Sequence, residues 1–262
     1  MPSDTTQPNV AQLPIVTFHT IEVGKSPIAF PRHLFADFLR LAAGQDWRTI
    51  SLGEARACLD AGAGFPARAF VITFDDGYRS VFDEAYPRLR DHGFSATLFL
   101  TVGENPAGDA RQRLPSLCGR EMVHWDEVTE LAKAGWDIGA HTLTHPDLSR
   151  IPIAQAVREI SESKRQIEQR VGHKVAAFAY PYGRRNPVVQ DCVAGEFLCA
   201  CGVSLGLASG GSDPFALPRL DMYYLRSRHL MPLFLSPWLG SYLRLRRFPR
   251  HLRALVREGL GR

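Results

Sequence analysis

The run Phe70-Val71-Ile72-Thr73-Phe74-Asp75-Asp76-Gly77 sets five apolar or β-branched residues directly before two carboxylates and a glycine. Such a run, bounded by turn chemistry, reads as a buried strand. Val81, Ala85 and Leu89 then recur at helical spacing as far as Gly93, and Ala96 to Val102 forms a second apolar strand. Strand, helix, strand predicts a parallel sheet. Asp76-Gly77 taken alone also suits a hairpin turn, since Asp-Gly favours positive φ. The helical pattern after Gly77 argues against that reading.

The same alternation extends in both directions. Upstream, Leu13 to Phe18 reads as a strand ending at His19. Leu34, Phe35, Phe38, Leu39 and Leu41 follow at helical spacing up to Gly44, and Ser51 with Glu54 forms a capping box opening a second helix. Downstream, His124-Trp125-Asp126 opens a helix running to Gly135, and Trp136 to Gly139 leads as a strand into His141. Val157, Ile160, Ile167 and Val171 mark a long amphipathic helix with a Glu- and Lys-rich polar face, followed by the strand Val175 to Tyr180. Beyond Arg185 the pattern blurs through Gly202, Gly206, Gly210, Gly211 and Pro214 before Leu217-Pro218-Arg219-Leu220-Asp221. The fold class is α/β.

The 262 residues carry 45% hydrophobic and 22% charged side chains, values of a globular chain and not of a disordered or fibrous one. A single large α/β domain fits that length. A net charge of +4 with no aromatic-interleaved basic stripe in the body makes nucleic acid an unattractive partner. Cys58, Cys118, Cys192, Cys199 and Cys201 are odd in number and lack CxxC spacing, so they read as buried free thiols. Residues 1–12 form a polar lead without an apolar signal core, and no run of about 18 apolar residues exists to span a bilayer. These features predict a cytoplasmic protein. Residues 13–225 form the expected domain. Residues 226–262 read as an appended basic amphipathic tail, with arginines at 244, 246, 247, 250, 253, 257 and 262 among Leu, Phe and Trp and with Glu258 its one acid. Such a tail suits peripheral contact with an anionic membrane, at the inner face for a cytoplasmic protein, or packing against the barrel or a partner protein.

In alternating α/β folds the ligand-binding groups collect at the C-terminal ends of the strands. His19, Asp75-Asp76, His141 to His145 and Tyr180-Pro181-Tyr182 all fall there. Two adjacent carboxylates repel unless a cation neutralises one, so metal binding by one and proton acceptance by the other makes sense of the pair. His141-x-x-x-His145 lacks the zincin glutamate and is followed by Pro146, which favours a loop over a helix. Two imidazoles with one carboxylate complete a facial set that leaves positions open for water and substrate. The bland alternative is a pair of surface histidines.

Three motifs carry a resemblance: Ile72-Thr73-Phe74-Asp75-Asp76-Gly77-Tyr78, His141-Thr142-Leu143-Thr144-His145-Pro146-Asp147 and Phe178-Ala179-Tyr180-Pro181-Tyr182-Gly183. In that order they resemble the NodB-type polysaccharide deacetylases, carbohydrate esterase family four, across roughly His19 to Asp221. The resemblance implies a distorted (β/α) barrel of mostly parallel strands and a hydrolase removing acetyl groups, N-acetyl first, from a chitooligosaccharide- or exopolysaccharide-type glycan. It implies Asp75 as base, and Asp76, His141 and His145 as ligands of a divalent metal, zinc by default with cobalt, nickel or iron open. Tyr182, beside Pro181, is placed by it at the oxyanion.

Two departures stand out. The family's arginine two residues before the third-motif proline is Ala179 here, and the Asp-rich fourth motif ending in tryptophan is not evident. Leu217-Pro218-Arg219-Leu220-Asp221 resembles the variant of exopolysaccharide-associated members, which makes Arg219 the candidate to brace the base. Phe18-His19 matches the aromatic-His start of that subgroup, making His19 the candidate general acid ahead of His229. Trp125, Trp136 and Tyr182 are candidate sugar-stacking surfaces, with core packing the better role for Trp136. The competing readings are an O-acetyl esterase or amidase on another substrate, and a carbohydrate-binding barrel without turnover.

Overall fold

Seven short, mostly apolar strands close into a ring in the computed structural model, which describes residues 9–103, 114, 117 and 119–247. They are β1 (Ile15–Phe18), β2 (Ala69–Phe74), β3 (Thr97–Leu100), β4 (Asp137–Ala140), β5 (Ala177–Ala179), β6 (Cys199–Leu205) and β7 (Leu217–Asp221). The ring order is β1-β7-β6-β5-β4-β3-β2, closed by the pairing of Ile15 through Phe18 with Val71 through Phe74. Every pairing around it is parallel. The register of β6 on β7 shifts between Cys201 and Leu205, which distorts the barrel there. Asp75-Asp76-Gly77 therefore ends a parallel strand and is not a hairpin.

Successive strand side chains point to opposite faces, so the ring sorts its residues by parity. Ile15, Val71, Phe99, Ala177, Ala179, Cys199, Cys201 and Leu217 form one buried cluster, the filling of the barrel. Val16, Phe18, Ile72, Phe74, Leu98, Leu100, Ile138, Ala140, Phe178 and Leu220 belong to the other, packed under the helices. The inward parity that carries Val71 and Leu217 also carries Thr73, Asp75 and Arg219. On β4 it falls on Gly139, where an added Cβ would lie 2.4 Å from Phe99 Cδ1 and 3.1 Å from the Ala177 carbonyl.

The helices cover the outer face: α1 (Arg32–Ala43), α2 (Leu52–Ala61), α3 (Tyr86–Asp91), α4 (Trp125–Lys133), α5 (Ile153–Val171) and α6 (Pro187–Glu196). The capping box of α2 is complete, Glu54 N donating to Ser51 Oγ at 3.0 Å and Ser51 N to Glu54 Oε2 at 2.7 Å. A π-helical turn over Val81–Ala85 precedes α3. Trp125 and Trp136 are both buried, Trp136 stacked on Phe74 at 5.7 Å, so neither presents a ring to a sugar. Cys58, Cys192, Cys199 and Cys201 are free, and burial pushes the Cys201 thiol up to about 12. Cys118 lies outside the described residues.

After Arg226 the chain returns to the barrel. Met231, Phe234, Leu239 and Leu243 are buried, Phe234 meeting Phe38 at 5.0 Å and Phe70 at 5.4 Å. Backbone 239–247 is helical. Residues 1–8 of the polar lead, and the arginines at 250, 253, 257 and 262 with Glu258, lie outside the described residues. Among the described residues no helix is long and apolar enough to cross a membrane.

Gly139→Ala tests the tightness of the barrel interior. Forcing a methyl against Phe99 should cost about 1–3 kcal/mol. The check is a urea unfolding curve with a lower midpoint and unchanged slope; a wild-type midpoint would show that the interior has slack.

Candidate active site

Parallel closure brings all the strand C-termini to one mouth, and a pocket of about 270 Å3 opens there. Thr17, His19, Asp75, Asp76, Tyr78, His141, His145, Tyr180, Tyr182, Arg219 and Asp221 are among the residues that line it. Residues from five strand ends thus meet in one place. Pro181 is buried and does not line the pocket. His229 is exposed and lies outside it.

The strands end abruptly to form this mouth. Asp76 (φ 77°), Thr142 (71°), His145 (61°) and Tyr182 (57°) all take left-handed backbone, and Gly77 follows at 91°. For a β-branched residue such as Thr142 that conformation is strained and must be held by its surroundings. The buried carboxylate of Glu159 does much of the holding. Its Oε2 accepts from Leu143 N at 2.8 Å and Thr144 N at 2.9 Å, and its Oε1 accepts from the Thr144 hydroxyl at 2.6 Å. Within the loop His145 N donates to Thr142 Oγ1 at 3.0 Å, and Thr101 Oγ1 donates to the His141 carbonyl at 3.1 Å.

The two adjacent carboxylates have different partners. Asp75 is clamped by the fork of Arg219, Nη1 donating to Oδ1 and Nη2 to Oδ2, both at 2.7 Å. Arg219 is itself fixed, with Nε donating to the Gly202 carbonyl at 2.9 Å and Nη1 to Thr73 Oγ1 at 3.2 Å. Burial pushes the Asp75 carboxyl up, but the Arg219 charge and hydrogen bonds, with lesser pulls from His141 and His19, outweigh it and hold the group below the carboxylate range. His19 Nε2 stands 3.9 Å from Asp75 Oδ2.

Asp76 faces histidine instead. Its Oδ1 lies 3.4 Å from both His141 Nε2 and His145 Nε2, and it is buried without a hydrogen-bond partner. His141 Nδ1 is 2.7 Å from the Ala179 carbonyl, so that nitrogen carries the proton and Nε2 is left as a donor of its lone pair. Burial lowers His145 to about 4, so its imidazole is neutral at physiological pH. The ligand atoms of Asp76, His141 and His145 all lie within 4.8 Å of one another. An orphaned buried carboxylate oxygen facing two imidazole nitrogens is a donor set that fits a divalent cation.

Two residues of this site carry no motif. Glu159 sits on α5 in the buried set Ala156, Glu159, Ile160, Ser163, Gln166 and Ile167. On a helix rich in charged residues it gave no signal of its own. Thr17, buried with its hydroxyl unpartnered, had none, since a threonine within a strand is ordinary.

Residues 63–194 match the polysaccharide deacetylase family model. The chain is 27% identical over 234 residues to the putative polysaccharide deacetylase YxkH of Bacillus subtilis, covering 89% of this chain and 76% of that protein. It is 26% identical over 131 residues to the poly-β-1,6-N-acetyl-D-glucosamine N-deacetylase of Staphylococcus aureus, covering 47% of this chain and 43% of that one. In fold it resembles the Streptococcus pyogenes deacetylase PplD, solved with acetate, with a TM-score of 0.72 over 80% of this chain and 92% of that chain at 22% identity.

Arg219→Ala should destabilise the protein by about 3–5 kcal/mol at pH 7, because it leaves a buried carboxylate unpaired. A depressed carboxyl contributes stability that is present above its unfolded pKa, about 3.9, and lost as pH falls through the folded value. The gap between wild type and variant should therefore be full at pH 7 and shrink in acid, as protonation first relieves the variant's unpaired Asp75 and then removes the wild-type contribution. Urea midpoints between pH 3 and 8 measure it; a pH-independent gap would assign the loss to packing alone.

Proposed function

The chain belongs to the polysaccharide deacetylase family and is an enzyme of that kind, and from this premise we propose that it hydrolyses N-acetyl groups on an exopolysaccharide- or chitooligosaccharide-type glycan with a divalent cation held by Asp76, His141 and His145. One observation carries the reading: neighbouring carboxylates with opposite surroundings, Asp75 clamped and ionised by Arg219, Asp76 with a buried oxygen open toward two imidazoles. The amide preference draws on the staphylococcal relative, which is named for N-deacetylation, and zinc is the default ion on availability.

When bound, the cation polarises the acetyl carbonyl and acidifies an adjacent water. Asp75, ionised at every working pH, takes the proton from that water, and the Arg219 fork keeps its oxygens aimed as it does so. The Tyr182 backbone N–H, on a residue held in left-handed conformation at the pocket, is the donor that the family resemblance assigns to the developing oxyanion. His19, 26% exposed at the side chain and lining the same pocket, delivers the proton to the leaving amine. The exposed ring of Tyr182 offers the sugar a stacking face.

Acetate release from acetylated β-1,6-glucosamine and chitin oligomers, with and without added zinc, is the direct assay. Asp75→Asn should retain one ion per chain by elemental analysis and lose at least about a hundredfold in rate, whereas His145→Ala should lose both. His19→Ala should keep the ion and lose rate on the N-acetyl substrate. Full activity in Asp75→Asn, or no ion in any preparation, would overturn these assignments.

Residues 226–262 act, in this proposal, as an appended segment that also touches an anionic membrane. The barrel buries only part of its apolar surface: Trp238 and Leu245 remain 70% and 72% exposed beside the exposed Arg244 and Arg246. Trp238→Ala with Leu245→Ala should reduce co-sedimentation with anionic vesicles and leave the negligible binding to neutral ones unchanged. Equal pelleting of variant and wild type would retire the contact.

A further inference from the structure

The active-site rim carries a second pocket, and we propose that it is an anion subsite, taking a phosphate or carboxylate borne by the glycan a short distance from the acetylated sugar. This rests on the deacetylase reading and adds a substrate class to it. The pocket, about 470 Å3, is lined by Lys25, Tyr223, Tyr224, Arg226, Leu230 and Arg246. Three of those six are cations and none is an acid. Among the described residues no ion pair engages Lys25, Arg226 or Arg246, whereas nearby Arg228 is paired with Asp37 and Arg120 with Glu22.

The cations are placed and not merely present. Arg226 Nη1 donates to the Ser26 carbonyl at 3.1 Å and Nη2 to that of Gly24, neutral acceptors that fix the guanidinium without cancelling its charge. Tyr242 donates its hydroxyl to the Tyr224 carbonyl at 2.7 Å, and Arg246 lies over the Tyr242 ring at 5.3 Å with Nε donating to that hydroxyl at 3.2 Å. The segment after Arg226 is thereby hooked to the rim with its arginine turned to this pocket. The two loops concerned also wall the active site, through Ile28 on one and Asp221 on the other. Asp221 Oδ1 accepts from Tyr223 N at 2.9 Å, and the half-exposed Tyr223 ring offers a face to an intervening sugar. Fixed guanidinium groups beside an ammonium suit phosphate or carboxylate oxygens.

The test compares acetate release from a neutral acetylated glucosamine oligomer and from the same oligomer carrying a terminal phosphate, using wild type and the exposed double variant Lys25→Ala/Arg246→Ala. Wild type should show a KM roughly tenfold lower for the phosphorylated oligomer, a difference that fades at high salt. The double variant should lose that preference with kcat unaltered. Equal KM values in wild type, or a preference that survives in the variant, would overturn the subsite. Should wild type release no acetate from either oligomer, the deacetylase reading fails, and titration with inorganic pyrophosphate decides the subsite separately: binding by wild type alone supports it, equal binding by both sinks it. A variant that loses affinity for anionic vesicles yet keeps its preference for the phosphorylated oligomer would reassign these cations to a lipid surface and overturn the proposal.

Discussion

Consecutive carboxylates at the buried end of one strand cannot both be ionised unless each has its own counter-charge, and the mouth of this barrel is arranged around that requirement. Asp75 has inward parity on β2 and meets Arg219 coming inward from β7, two strands away round the ring. Asp76 follows in left-handed conformation and turns instead toward the loop after β4. One carboxylate is neutralised by a permanent cation and is left ionised. The other faces two imidazoles that compensate it incompletely, which leaves room for a metal ion to complete the balance. The buried Arg219 fork is fully engaged, so it is an ion pair of the kind whose separation is costly and whose geometry is fixed.

Holding the second carboxylate's partners in place is a problem of backbone strain. The loop bearing His141 and His145 visits positive φ twice at non-glycine residues, and unsupported it would relax away from Asp76. Glu159 accepts three hydrogen bonds from that loop, and the Ala179 carbonyl fixes the ring of His141. The long helix α5 is thus joined to the site by a carboxylate that never reaches the pocket. Such outer contacts set how closely the donor atoms can converge, and with them the affinity for any ion.

The pocket is asymmetric in charge. Its floor is an acid pair and two histidines, while one side of its rim, from Lys25 to Arg246, is cationic and rich in tyrosine. That separation follows from chain order. The floor comes from strand ends, whereas the rim comes from the loop before α1 and from the chain after β7, where no acid occurs between Met222 and Arg247. Part of that last stretch is committed to the barrel through Phe234, Leu239 and Leu243, and Tyr242 ties it to the rim.

Much of this was legible locally. Continuous apolar runs, turn residues directly after each strand, helical spacing between them and the capping box at Ser51 are properties of neighbouring residues, so the parallel α/β order, the strand ends at His19, Asp75 and His141, and the loop geometry of His141 to His145 could be read before any contact was known. The motifs likewise placed Asp76 with two histidines. What the sequence did not contain was distance. That Arg219 reaches Asp75 across 144 positions depends on β7 lying beside β1 and on the register that aligns their inward residues. That Trp125 is buried rather than open to sugar depends on how α4 packs. Glu159 looked like one more charge on a polar helix face until the helix was rotated against the barrel, and Lys25 and Arg246 became neighbours only through the return of the chain to the rim. Local periodicity sets which way a side chain points along its own element; which other side chain it meets is set by ring closure and register, and those are decided by the packing of the whole barrel.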